Sequence, residues 1–137
     1  SHPSGSLGRR LLTLVSSIMK SGKDIPMVSK ETLLIDSLLV MSEKALGMVL
    51  IAENEKLIGI FTDGDLRRAL ESNIDFQKLA IGDVMTRDCK SIEPQEPALT
   101  AMQMMEKYSL NSLPVVDSNN KIVGAINMHT LIQAKLF

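Results

Sequence analysis

Thr62-Asp63-Gly64-Asp65 follows the apolar run Leu57 to Phe61 and leads into Leu66-Arg67-Arg68-Ala69-Leu70. A hydroxyl and a carboxylate three residues apart fit the Ser/Thr-x-x-Asp/Glu helix-start pattern: the hydroxyl accepts from a first-turn amide and the acid reaches back. The same amides, with the positive end of the helix dipole and a glycine that keeps the turn clear, also suit a phosphate. Arg67 and Arg68 add positive charge there, although an exposed helical arginine is ordinarily solvated. A plain cap and an anion site are both open on these residues.

Other reactive side chains offer less. Cys89 and His129 are the ingredients of a thiol dyad, but nothing near either supplies an orienting group or an oxyanion hole. With one cysteine in the chain, an intramolecular disulfide is excluded. The 9 methionines read as packing or adaptable contact surface, not as a metal site. Lys and Arg number 15 against 16 Asp and Glu, a net charge of -1, so the broad positive field that non-specific nucleic-acid binding needs is absent. Neither a signal-peptide pattern nor an apolar run of about 18 residues occurs. The expectation is a soluble, cytoplasmic chain with no nucleic-acid or membrane partner.

The elements that must position Thr62 and Asp65 occur twice. Ile18-Met19 recurs as Val84-Met85, Val28 as Ile92, Met41-Ser42-Glu43-Lys44 as Met105-Glu106-Lys107-Tyr108, and Gly59-Ile60-Phe61 as Gly124-Ala125-Ile126. In each copy an apolar segment leads to a helix whose start is marked by Ser29-Lys30-Glu31-Thr32 or by Glu93-Pro94-Gln95-Glu96-Pro97. Ile35, Leu38, Leu39, Ser42, Ala45 and Leu46 then recur at helical spacing, as do Ala98, Ala101, Met102, Met105 and Tyr108. Two short apolar strands joined by a polar turn follow, then a closing helix from about Asp63 to Glu71 or Met128 to Leu136. The predicted unit is β-α-β-β-α with a short helical lead-in. One unit of about 60 residues buries too little surface to be comfortable alone, so the two should pack sheet to sheet and leave a cleft between them.

With "SIMK" and "DVMT" leading in, "SLPVVDSNNKIVGAI" in copy two and "GIFTDGDL" in copy one, the chain from about residue 17 to 137 resembles a tandem pair of CBS domains. The resemblance implies an α+β fold of two pseudo-twofold-related units, residues 17–76 and 77–137, after a preceding tail and linker at 1–16. It also implies a ribonucleotide site on Gly-x-x-Thr-x-x-Asp, with Thr62 on phosphate, Asp65 on ribose hydroxyls, and Asp63 and Gly64 in the turn between them. Ile25, Pro26 and Met27, or Leu46, Gly47 and Met48, either line the base pocket or pack the core. Copy two reads Asn127 for Thr62 and Thr130 for Asp65, which keeps a cap and loses the carboxylate, so one site centred on copy one is expected. His129 either reaches the shared cleft or is a structural group. Paired discs associating through their helices are the form of homodimer that the resemblance implies.

The first twelve residues, with "HP" at 2–3 and "LGRRLL" at 7–12, do not fit the repeat. They are similar to the segment that closes the sugar-isomerase (SIS) domain of bacterial D-arabinose-5-phosphate isomerases, in which a CBS pair follows. "GIFTDGDLRR" resembles the same family. This implies a regulatory pair attached to an enzyme interconverting D-ribulose 5-phosphate and D-arabinose 5-phosphate for Kdo of lipopolysaccharide or capsule, with His2 in the isomerase site of a homotetrameric parent. The stretch by itself is expected to be inactive and to need no catalytic cofactor or metal. CMP-Kdo, an end product with ribose, phosphate and a carboxylate suited to Arg67 or Arg68, is the implied feedback ligand, with AMP or ATP as rivals. A purely structural dimerisation module, or a sensor belonging to another protein, is the alternative.

Overall fold

A computed structural model describes Gly8 and residues 11–135. Helix α1 (Val15–Ile18) and a single 3-10 turn at Gly22–Asp24 lead into strand β1 (Met27–Ser29), helix α2 (Leu34–Lys44), strands β2 (Met48–Glu53) and β3 (Lys56–Thr62), and helix α3 (Asp63–Glu71). A second 3-10 turn, Ile81–Asp83, opens copy two, followed by α4 (Ala98–Lys107), β4 (Ser112–Val116), β5 (Ile122–Asn127) and α5 (Met128–Gln133).

Copy one forms a three-stranded sheet, β1 parallel to β2 and β2 antiparallel to β3. The β2–β3 turn is tight because Asn54 and Glu55 both take positive φ, 53° and 67°, matching the twist of the flanking strands. In copy two β4 and β5 pair alone, and the expected first strand shrinks to one parallel bridge, Ile92 to Val115. Pro94, two residues on, has no N–H to make the next rung.

The polar stretches expected to cap α2 and α4 do not do so; neither helix has a side-chain cap. Instead the Leu34 N–H donates to the Leu79 carbonyl and the Ala98 N–H to Thr13, 2.8 Å each. Backbone from the other copy's lead-in thus satisfies an amide that a helix start leaves orphaned.

Both sheets are covered on both faces, and this alternation makes three cores. Val49, Ile51 and Phe61 pack under the copy-one helices with Leu34, Met41 and Ala69. Leu113, Val115 and Ile126 do the same in copy two with Ala98, Ala101 and Met105. The opposite strand faces, Met48, Leu50, Leu57 and Ile60 of copy one and Val116, Ile122 and Ala125 of copy two, meet in a third cluster between the sheets. The local twofold passes by the Lys56–Lys121 bridge, where Leu57 N–H donates to Asn120 O and Ile122 N–H to Glu55 O.

The lead-ins cross over. Val15 belongs to the copy-two core and Ile81 and Met85 to the copy-one core. Lys20 exchanges backbone hydrogen bonds with Ala125 on β5, and Thr86 with Ile60 on β3. Glycine is what permits the approach: a Cβ on Gly59 would lie 2.5 Å from the Met85 sulfur and 3.1 Å from the Thr86 carbonyl oxygen. Gly124 meets Met19 and Lys20 in the same way.

Candidate functional site

The crossing places Thr86 to Lys90 beside the end of β3 and the start of α3, and a cleft of about 510 Å³ opens there. Leu46 and Gly47 from the α2–β2 turn line it, with Ile60, Thr62, Asp63, Gly64, Asp65 and Arg68 from copy one. Thr86, Asp88, Cys89 and Lys90 come from the lead-in of copy two, Tyr108 to Asn111 from its α4–β4 loop, and Ser112 from the start of β4. The volume suits a small organic ligand. Its lining is mixed: Leu46, Ile60 and Leu110 are apolar, while Thr62, Asp63, Asp65, Thr86, Asp88 and Arg68 bring hydroxyls, carboxylates and a guanidinium.

Within this lining the capping box is complete. The Thr62 hydroxyl accepts from the Asp65 N–H at 3.4 Å, and the Thr62 N–H donates to Asp65 Oδ2 at 2.9 Å. The Thr62 hydroxyl proton is also directed to Asp65 Oδ2, at 3.2 Å. Asp65 Oδ1 accepts from Arg68 Nη2 at 2.6 Å and from the Thr86 hydroxyl at 3.4 Å. The Asp65 side chain is only 13% exposed whereas that of Arg68 is 70% exposed, so a half-hidden carboxylate bridges the two copies while its cation lies open to solvent.

Gly47 fixes the other wall. Its φ of 73° is left-handed, and a Cβ there would lie 3.1 Å from Asp63 Oδ2, so both conformation and space call for glycine. Its carbonyl accepts from the Asp63 N–H at 3.1 Å, tying the turn to the start of α3. The Lys90 ammonium lies 4.4 Å from the centre of the Tyr108 ring, a cation–π pair that adds positive charge to a lining that also holds Asp63 and Asp88. Cys89 packs against the inter-sheet cluster, and burial, followed by the nearby Asp88 charge, pushes its thiol pKa up. It is a neutral thiol at pH 7, the opposite of an activated nucleophile.

Copy two builds a cap without a carboxylate. Asn127 Oδ1 accepts from the Thr130 N–H at 2.9 Å and from the Thr130 hydroxyl at 2.7 Å, and Thr130 is buried. Gln133 stands at the position equivalent to Arg68.

Of the residues singled out in the sequence, Thr62, Asp63, Gly64, Asp65, Arg68, Leu46, Gly47 and Cys89 come together in the cleft lining. The others lie elsewhere. Arg67 is exposed on α3, and His129 is exposed on α5; neither lines the cleft. Met48 is fully buried between the sheets, with Ile25 packed against the same cluster. Pro26 is buried with its carbonyl accepting from Leu50 N–H at 2.7 Å, and Met27 is half exposed on β1. His2 lies outside the described residues. Sequence reasoning passed over Thr86, Asp88, Lys90 and Tyr108. The repeat offset held one signal, since Thr86 occupies the position in copy two that Lys20 holds in copy one. Among the described residues no cluster of three or more His, Cys, Asp or Glu is arranged to hold a metal ion, and no helix is long and apolar enough to cross a membrane.

The CBS domain family model matches the chain twice, at residues 15–72 and 81–136. Among curated proteins, arabinose 5-phosphate isomerase KdsD of Francisella tularensis is 46% identical over 136 residues, which is 99% of this chain and 42% of that protein. The chain thus spans about two-fifths of the length of the curated relatives it matches. Among solved structures, the CBS domain pair of protein MJ0100 in complex with 5'-methylthioadenosine and S-adenosyl-L-methionine has a TM-score of 0.80 at 24% identity, covering 90% of this chain and 96% of that one. CBSX2 in complex with AMP has a TM-score of 0.76 at 22% identity, over 90% and 96% of the two chains. At those identities the likeness is one of fold.

Proposed function

The chain belongs to the CBS domain family, as a tandem pair, and from that premise we propose that it is a ligand-sensing module whose inter-copy cleft takes a ribonucleotide. The observation that carries this reading is the placement of the Thr62–Asp65 pair, with Arg68, in the wall of a cleft of about 510 Å³ that Leu46, Ile60 and Leu110 also line. A base fits among Leu46, Ile60 and Leu110, a ribose diol at Asp65, and a phosphate at Thr62 and the start of α3. The adenosine ligands of the MJ0100 pair and CBSX2 support a nucleotide of some kind.

The module is proposed to regulate an arabinose 5-phosphate isomerase in the cytoplasm, D-arabinose 5-phosphate and D-ribulose 5-phosphate being the substrates. Supporting this are the identity with KdsD and the "LGRRLL" segment before α1. The finer proposal is feedback by CMP-Kdo. A ligand regulates only if it prefers one arrangement of the pair, because equal affinity shifts nothing. In the parent enzyme His2 would belong to the isomerase site; residues 1–137 alone should show no turnover, and measurable isomerase activity in this stretch would refute that.

Calorimetric titration with CMP-Kdo, CMP, AMP and ATP tests the reading. Saturable binding of at least one, lost in Thr62→Ala with the fold retained, supports it; no binding by any sinks it. A second reading, a module that only holds the enzyme oligomer together, is favoured by Leu39, Leu70 and Ile132, which are 66%, 64% and 52% exposed. Such large exposed apolar side chains suit a helix-mediated contact between pairs. It wins if the chain dimerises and no nucleotide binds.

A further inference from the structure

Asp65 is already fully used by donors of the chain itself. A carboxylate has about four lone-pair positions, and four donors reach this one: the N–H and hydroxyl of Thr62 on Oδ2, and Arg68 and the Thr86 hydroxyl on Oδ1. A ribose diol brings two more O–H donors, so something must leave. The Oδ2 bonds belong to the capping box and connect residues three apart; breaking them frays the helix start. Oδ1 is the exchangeable oxygen.

Of its two donors Arg68 is the easier to release. The guanidinium is always charged and its side chain is 70% exposed, so water receives it at little cost. It also has somewhere to go. Its two terminal nitrogens lie 3.6 Å and 3.7 Å from where a Cβ would stand on Gly64, over the same first turn of α3 to which a phosphate is drawn. Copy two changes both halves together, with Thr130 at the carboxylate position and Gln133 at the guanidinium position, while its cap survives through Asn127.

We propose that Arg68 holds the ribose's place on Asp65 while the cleft is empty and turns to the phosphate when a ribonucleotide enters, so that the site selects ligands carrying both a vicinal diol and a phosphate. The inference rests on the nucleotide reading above. A nucleoside must displace Arg68 and gives it no new partner; a nucleotide displaces it and rehouses it. Arg68 is therefore a specificity-determining residue that discriminates against the unphosphorylated ligand.

The test is calorimetric titration of the 137-residue chain with AMP and adenosine, and with CMP and cytidine, for wild type, Arg68→Gln, Arg68→Lys and Arg67→Gln, each with its melting temperature. In Arg68→Gln the nucleoside should bind several-fold tighter and the nucleotide weaker, so that the nucleotide-to-nucleoside affinity ratio falls by about tenfold or more. Arg68→Lys, which keeps the charge without the planar fork, should fall between, and Arg67→Gln should match wild type. If Arg68→Gln weakens both ligands by one common factor, or changes neither, Arg68 is not the discriminator and the proposal fails while the nucleotide site stands. If wild type binds none of the four, the nucleotide reading fails and takes this proposal with it.

Discussion

Replacing Gly59 by alanine inverts an ordinary expectation. Gly59 does not have a positive φ, so alanine there should be tolerated by the backbone and should stabilise by about 0.4–1 kcal/mol through the unfolded chain. The crossing lead-in reverses the sign. The new Cβ would stand 2.5 Å from Met85 Sδ, 2.9 Å from Met85 Cγ and 3.1 Å from the Thr86 carbonyl oxygen. The methionine can turn away; the carbonyl is held by Ile60 N–H at 2.9 Å and cannot. Overpacking of this kind costs about 1–3 kcal/mol, leaving a net loss of about 1–2 kcal/mol, or a melting temperature lower by about 4–8 °C for a domain of this size. Urea unfolding gives the free energy directly, with an unchanged slope marking a stability effect alone. Met85→Ala removes the closest atoms but leaves the Thr86 carbonyl, so Gly59→Ala should still destabilise in that background, by somewhat less than in wild type. A Gly59→Ala protein as stable as wild type, or more so, would refute the crossed arrangement of the lead-in and with it the cleft.

Asp65→Ala should cost the ligand-free protein about 1–2 kcal/mol in urea unfolding, nearly all from the capping box, since the exposed Arg68 contributes little. Asn127→Ala should cost about 1 kcal/mol by the same measurement and leave nucleotide binding at the copy-one site unchanged in calorimetry. Because the Cys89 pKa is raised by burial, iodoacetamide should label it more slowly than a free thiol at pH 7–8 and a nucleotide should slow it further; in denaturant the difference should vanish. The sign for stability follows: the raised thiol favours the fold fully below the unfolded thiol pKa of about 8.5, and this contribution is lost as pH rises through the folded value.

Much of this was legible in the chain. The repeat offset, the short apolar runs Met48–Ile51 and Leu113–Val116, and the Thr62-x-x-Asp65 spacing specify two sheets, their helices and a complete capping box. The crossing was not, because Met19 and Met85 occupy the same place in either copy and a linear pattern reads identically whether a lead-in packs on its own sheet or on the other. That ambiguity hides half of the cleft: Thr86 to Lys90 take the place beside β3 that Lys20 and the residues after it would take without the exchange. Nor does spacing reveal saturation. Asp65 as a helix cap is visible from three residues; Asp65 as the meeting point of Thr62, Arg68 and Thr86 depends on a contact spanning 21 positions.

The proposed ribonucleotide site is built from α3 of copy one and the lead-in of copy two. Backbone amide chemical shifts of the isotopically labelled chain, followed while the tightest-binding nucleotide of the panel is added, show whether both segments meet the ligand. Thr62 to Asp65 and Thr86 to Lys90 should move together along one saturation curve, with Asn127 to Thr130 and Ile25 to Val28 staying still. Shifts confined to the copy-two cap, or movement of Ile25 to Val28 in place of Thr86 to Lys90, would contradict it.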